Sequence, residues 1–318
     1  MIDIDILLRG GTQGLIWGLL ALGFYIAFRI LDFADMTCEG SITLGASVTA
    51  LCIWNGVNAF LALPIAFLSG CAAGLVTGLL HTKLKIPPIL SGILTMSALY
   101  TINIHVMSAA TGNEGTANVN LLNFSSNTIF SMLKTIIPLT KTHVALIFGV
   151  LLTVGIISAL YWFFGTELGC AIRATGNNEK MCRAQGVNTD STKIVGLALA
   201  NGLIALAGAM LCQYQSYSDV KMGVGSIVIG LASIIIGEAI FAWAKNFFLR
   251  LIGIVVGSII YRVIVALVIF SDMPADDLKL MTAVVVVVAL AFTNFRPQIT
   301  RAIKNFFAFF KKDKEEKG

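Results

Sequence analysis

The side chains able to do chemistry in this 318-residue chain are few and scattered. Its six cysteines (Cys38, Cys52, Cys71, Cys170, Cys182 and Cys212) form no CxxC pair and have no histidine nearby at metal-binding spacing, so they read as small packing residues. The sequence has no Ser/His/Asp set, no HExxH, and no carboxylate pair placed to exchange a proton. It also lacks GxxxxGK[ST], so the chain cannot hold ATP in the P-loop manner. The remaining candidates are ionisable and polar groups lying in or beside apolar blocks. Glu238 and Arg262 lie well inside such blocks; Asp35, Glu39, Ser41, Asp219 and Ser226 lie in or beside the two copies of a Gly-Ser-Ile-x-x-Gly pattern; Asn103, His105 and Asn201 lie further along. The chemistry open to these groups is electrostatic: an ion pair, a gate, or the lining of a polar path. For the asparagines, satisfied packing is the simpler reading. No metal-ligand set is evident, and nothing suggests nucleic acid as a partner.

The elements that carry these groups follow from composition. The chain is 57% hydrophobic and 12% charged, with mean hydropathy +0.87, against about 25% charged residues in soluble domains. Crossing about 30 Å of hydrocarbon at about 1.5 Å per residue takes roughly 20 residues. On that measure the sequence predicts an all-α polytopic membrane protein with nine spans, at about 11–30, 40–56, 58–80, 87–109, 143–164, 193–213, 222–244, 249–270 and 279–295. The second is short and begins among Asp35, Cys38, Glu39 and Gly40, as a broken or half-inserted helix would. The acidic start, Met1 to Asp5, leads into a full-length span and is read as retained rather than as a cleavable signal.

Lysine and arginine set the expected direction. With the tail after Arg296 inside, sixteen of the 22 basic residues face the cytoplasm and five face out (Arg9, Lys134, Lys141, Lys221 and Lys279). The N-terminus is then external and the C-terminus cytoplasmic. The external segment between Thr111 and Thr142 is expected to carry a short surface helix at 129–137, and the Phe-rich tail from Arg301 to lie at the lipid interface.

Two patterns recur in order. Gly40-Ser41-Ile42-x-x-Gly45 returns as Gly225-Ser226-Ile227-x-x-Gly230, and Gly74-x-x-x-Gly78 returns as Gly253-x-x-x-Gly257. Asp35 precedes the first copy much as Asp219 precedes the second. An odd number of spans lies between the copies, so the expected plan is an inverted repeat, 11–109 against 193–296, in one transmembrane domain. Residues 110–142 then form an external loop, 143–164 a linking span, 165–192 a cytoplasmic loop and 297–318 a tail. The GxxxG pairs are expected at helix contacts. By rise alone, Glu238 lies about 10 Å above Lys245 and Arg262 about 18 Å above Arg250, so an ion pair between them is expected, with a gate role as the alternative.

The cytoplasmic loop is the most informative stretch. Glu179 to Gln185 reads as a short helix capped by Asn177 or Asn178 and ended by Gly186, with Glu179 and Arg183 an i,i+4 pair. Alone in water it is too short to persist, so it must dock on something. The run from Gly169 to Asn188 resembles the cytoplasmic loop of ATP-binding-cassette importer permeases of the branched-chain amino acid and ribose type. Gly169, Ala171, Arg173, Ala174, Gly176, Gly186 and Asn188 match in place, and Cys182 stands near a usual alanine. The segments from Gly18 to Ser41 and from Val195 to Ala209 are similar to the same family, in the subgroup that works with lipoprotein-type solute-binding proteins.

The resemblance implies a permease subunit of the bacterial inner membrane that acts with a second permease copy, identical or not, surrounded by lipid. It implies two ATPase subunits, which bind the ATP and Mg, and an extracytoplasmic binding (lipo)protein that delivers a small solute, an amino acid or similar. It also carries a coupling role to the loop residues Arg173, Asn178, Glu179, Lys180, Met181, Arg183, Ala184 and Gly186. Glu238 stands where that family usually has glycine. A secondary transporter driven by an ion gradient is the competing reading, since inverted repeats and intramembrane charges suit it too; an enzyme would need the constellation that is missing.

Overall fold

Inside hydrocarbon a backbone N–H or C=O has no water to bond, so a chain this apolar must satisfy its polarity within helices. The structure, a computed structural model, describes residues 4–136, 140–244 and 246–269, with isolated positions 280, 283, 284 and 287. Its helices are α1 (Ile4–Phe24), continued by a π-helical turn (Tyr25–Ile30), α2 (Thr37–Trp54), α3 (Ala59–Lys83), α4 (Pro88–Thr111), α5 (Ile129–Ile136), α6 (Lys141–Gly165), α7 (Glu167–Asn177), α8 (Glu179–Ala184), α9 (Thr189–Gln215), α10 (Ser226–Ile240) and α11 (Phe247–Ile269). Two three-residue strands, β1 (Asn118–Asn120) and β2 (Tyr217–Asp219), pair antiparallel with Val119 opposite Ser218.

Six helices among the described residues are long and apolar enough to cross a membrane. The second and seventh expected spans are helices in place but fall short of that measure. α2 has 18 residues and opens on polar Thr37, Glu39 and Ser41, and α10 has 15 residues. The expected ninth, at 279–295, and the tail lie almost wholly outside the described residues.

Local chemistry explains the ends. Asn58 caps α3 by accepting from the Phe60 N–H at 2.9 Å, Pro88 opens α4 without an orphaned donor, and Gly112 closes it in the left-handed region at φ 73°. The connections gather at two opposite ends of the bundle. At one, which we call the sheet end, β1 and β2 pair; there the Gln213 side chain on α9 accepts from the Ile129 N–H and donates to the Ala59 carbonyl. At the other, the loop end, Phe33 stacks edge-on against His81, and Thr175 bonds Thr192 at 2.9 Å.

Helix α9 is the axis of the core, buried along most of its length against α1, α2 and α3. Contact at this range requires residues without side chains. A Cβ at Gly45 would collide with the Ala205 carbonyl, and one at Gly74 with the Leu197 carbonyl. Gly155, by contrast, has nothing within 4 Å of a built Cβ. Gly45→Val should therefore destabilise the detergent-solubilised protein by about 1–3 kcal/mol, while Gly155→Val leaves its thermal midpoint unchanged. Equal midpoints would contradict this packing.

Candidate functional site

The break before α2 determines the site. After the π-turn the chain leaves helical geometry at Leu31, with Asp32 at φ 52°, and returns into the bundle before α2 begins. Asp35 is fully buried against Gly92 of α4. Its Oδ1 accepts from the Thr37 N–H at 2.9 Å, and its Oδ2 accepts from Asn201 Nδ2 at 2.6 Å. Asn201 lies about 18 Å along α9 from Thr189, so the contact is deep inside the bundle. Ser41 donates to Asn201 Oδ1 at 2.6 Å, Thr37 bonds Thr77 at 2.7 Å, and Asn103 Nδ2 donates to the Gly40 carbonyl at 3.2 Å. Of the expected path residues, Asp35, Ser41 and Asn103 are thus drawn into one buried network, together with Asn201. Its hydrogen bonds fix the first turn of α2.

The second Gly-Ser-Ile meets the first at this point. Glu39 Oε1 accepts from the Gly225 N–H at 2.9 Å, and a Cβ at Gly223 would collide with the Glu39 carbonyl. Asp219 repeats the local turn of Asp35, its Oδ1 accepting from the Lys221 N–H at 2.7 Å, but it is half-buried and its Oδ2 accepts from Asn118 across the sheet. Ser226 is buried, its hydroxyl without a hydrogen-bond partner among the described residues. A half-open cavity of about 280 Å³ opens beside this junction, lined by Glu39, Gly40, Thr43, Met96, Ser97, Tyr100, Asn103, Val220 and Val224. Along α4 the exposed face continues as Ser97, Tyr100, Thr101 and His105. The exposed faces of α3 (Leu61, Leu68, Leu75, Val76) and α6 (Ile147, Leu151, Val154) are apolar.

The expected Glu238–Arg262 pair does not form. Glu238 sits at the loop end of α10 and accepts from Arg29 Nε at 2.9 Å, beside a second cavity shared with Phe241 and Arg250. Arg262 is further along α11 and lies over the Trp17 ring of α1 at 4.0 Å, its Nε without a hydrogen-bond partner among the described residues. The register explains the difference. Gly237 packs at the level of Gly253 and Ile254, so Arg262 lies about 12 Å further along the helix. Rise counting from each span's nearest basic residue missed this offset. It also missed Arg29, which lies in the π-helical turn at the end of α1 as a nearer partner.

The loop at 166–188 forms as expected and gains a helix. The Asn178 side chain caps α8 by accepting from the Met181 N–H at 3.0 Å, and Gly186 leaves it at φ 84°. Helix α7, in a stretch expected to be loop, starts on Thr166 and lays Gly176 against the Ile30 carbonyl. Its Arg173 covers Phe247 at 5.2 Å. A clasp holds α8 to α9. Glu179 accepts from Arg183 at 3.0 Å and from Lys193 at 2.8 Å, while Arg183 also reaches Asp190 at 2.7 Å and Thr189 at 2.6 Å. Cys182 is buried beneath it. The coupling candidates thus separate: Glu179 and Arg183 hold the helix down, while Lys180, Met181 and Ala184 are exposed on its surface.

Residues 6–291 match the family model of the branched-chain amino acid transport system permease component, and the chain belongs to that family. It is a transport permease component with several membrane helices, rather than an enzyme. A tyrosine transport system permease protein of Clostridioides difficile (strain R20291) is 40% identical over 283 residues, 89% of this chain and 90% of that protein. An uncharacterized protein of Rickettsia prowazekii (strain Madrid E) is 30% identical across 91% of this chain and 98% of its own length. The ribose import permease protein RbsC of Escherichia coli (strain K12) is 26% identical over 71% of this chain and 66% of its own. No solved structure matches.

The clasp gives a pH-dependent prediction. The hydrogen bond from Lys193 holds the Glu179 carboxyl below the usual carboxylate range, with the Lys193 and Arg183 charges adding and burial opposing. A depressed folded pKa contributes stability that is present above the ordinary carboxylate value and lost as pH falls through the folded one. A nitroxide at position 181, introduced by Met181→Cys after replacing the native cysteines, should be restrained at neutral pH and gain mobility as the medium is acidified. With Glu179→Gln it should be mobile at neutral pH and insensitive to acid. A spectrum unchanged by that substitution would contradict the clasp.

Proposed function

We propose that this permease lines a translocation path together with a second copy of itself or a close relative, and that two cytoplasmic ATPases drive it through α8. The observation that carries the proposal is the loop. A six-residue helix is capped at both ends and clasped to the bundle's central helix, yet leaves a half-exposed Met181 beside Lys180 and Ala184. An apolar residue on a polar loop suits a partner's cleft, and a clasped helix transmits a push that a loose loop would dissipate. Gly176 carries that push to the end of α1, where Arg29 and Glu238 join α1 to α10.

On this reading the loop end is cytoplasmic and the sheet end external, in a bacterial inner membrane, with the N-terminus outside and the C-terminal tail inside. An extracytoplasmic binding protein docks at the sheet end, and the ATPases supply ATP and Mg. The path follows the polar face of α4 and the junction at Glu39, Asp219 and Ser226. An inverted repeat is supported by packing: exchanging α1 with α9, α2 with α10 and α3 with α11 turns the α3–α9 contact into α11–α1 and the α2–α3 contact into α10–α11. The matching turns at Asp35 and Asp219 agree with it. The solute is an amino acid, as the name of the Clostridioides relative suggests.

Reconstitution with the cognate ATPase and binding protein in liposomes tests this. Solute uptake should require ATP hydrolysis, and Met181→Asp should cut both ATPase retention and uptake by about tenfold or more without unfolding the permease. Uptake driven by an ion gradient with the ATPase omitted would overturn the proposal.

A further inference from the structure

We propose that Glu39 binds the cationic amine of an apolar, amine-bearing solute as it passes the cavity between α2, α4 and residues 220–224, so that the permease itself selects amino-acid-like solutes over neutral sugars. The inference rests on the permease reading above and adds to it a contact residue and a role for the permease in selectivity.

The argument starts from an imbalance of charge. Glu39 is a carboxylate in the first turn of α2, about midway through the bundle, and a charge at that depth is costly unless it is paired or meets water. Asp35 is sealed in the bundle with both oxygens hydrogen-bonded, and Glu238 has its arginine. Glu39 does not: Oε1 takes one backbone N–H, from Gly225, its second oxygen has no hydrogen-bond partner among the described residues, and no lysine or arginine lines the cavity it opens onto. The half-open cavity lets water or solute reach the carboxylate. It is held in place from below by the Asp35–Asn201–Ser41 network and from the side by the Gly225 N–H, so its position is set before any solute arrives.

The rest of the lining fits the same class. Met96, Val220, Val224 and the Tyr100 ring supply an apolar and aromatic wall, Thr43, Ser97 and Tyr100 carry the hydroxyls, the Asn103 amide already donates to the Gly40 carbonyl, and the volume of about 280 Å³ is near the lower end of small-molecule sites, roughly 300–1,000 Å³. A sugar needs several donors and acceptors spread around its ring, and leaving them unpaired in such a wall costs affinity. A zwitterion with a large apolar side chain places its ammonium on Glu39 and its body against Tyr100 and Met96.

Glu39→Gln isolates the charge, because the amide oxygen still accepts from Gly225 N–H. In liposomes carrying the complete importer, uptake of labelled tyrosine per ATP hydrolysed should fall about tenfold in Glu39→Gln, while Glu39→Asp keeps most of it. ATP hydrolysis stimulated by the liganded binding protein should persist in both, which shows that they are assembled. An unchanged uptake-to-ATP ratio in Glu39→Gln would overturn the inference, as would a wild-type importer that carries ribose and not tyrosine; both leave the permease reading standing. A wild-type complex that moves no solute held by its binding protein under ATP would end that reading and this inference with it.

Discussion

Everything in this bundle depends on a helix that starts where a membrane protein can least tolerate it. A helix start exposes backbone donors, and inside hydrocarbon each unsatisfied group costs several kcal/mol. The chain meets that cost with side chains. Asp35 accepts from the Thr37 N–H, Asn201 donates to Asp35 and accepts from Ser41, and Asn103 donates to the Gly40 carbonyl. Leaving one such buried partner unpaired is expected to cost about 1–3 kcal/mol, a large share of the 5–15 kcal/mol that holds a typical domain together. The interruption is therefore kept by several coupled bonds. What it gains is an accessible carboxylate and a meeting point for the two Gly-Ser-Ile segments.

The same economy appears at the loop end. Short helices such as α8 are unstable alone, and individual exposed ion pairs are worth about 0.2–1 kcal/mol. Four polar contacts from Glu179 and Arg183 to α9, with Cys182 buried beneath, add up to a fixed element where any one pair would not suffice. Fixing α8 on α9 matters because α9 also carries Asn201. The exposed surface of α8 and the network that sets Glu39 are thus both tied to one helix.

Much of this was legible in the sequence where local rules decide the outcome. Asn178, Glu179, Arg183 and Gly186 announce a capped helix with an internal pair, and that helix is present. The polar opening at Asp35 to Ser41 announces a short second helix, and α2 begins at Thr37. What escaped depended on register between distant segments. Glu238 was assigned to Arg262 because their spans are consecutive, whereas the offset at Gly237 and Gly253 hands Glu238 to Arg29 and leaves Arg262 on Trp17. Helix α7 escaped because Gly169 and Gly176 read as loop residues, whereas they let the helix pack against Phe164 and Ile30. One signal was available and unused: Ser97, Tyr100, Thr101 and His105 recur at helical spacing along an otherwise apolar span, and that stripe is the exposed polar face.

That face is where the account is most exposed to test. Single cysteines at Ser97, Tyr100, Thr101 and His105, and at Leu68, Val76 and Leu151 for comparison, can be probed with a membrane-impermeant thiol reagent in the assembled importer. A water-filled path along α4 predicts labelling at the first four, blocked by transported solute, and none at the apolar three. Protection of the α4 positions to the same degree as Leu68, Val76 and Leu151 would place that face in lipid and contradict the path.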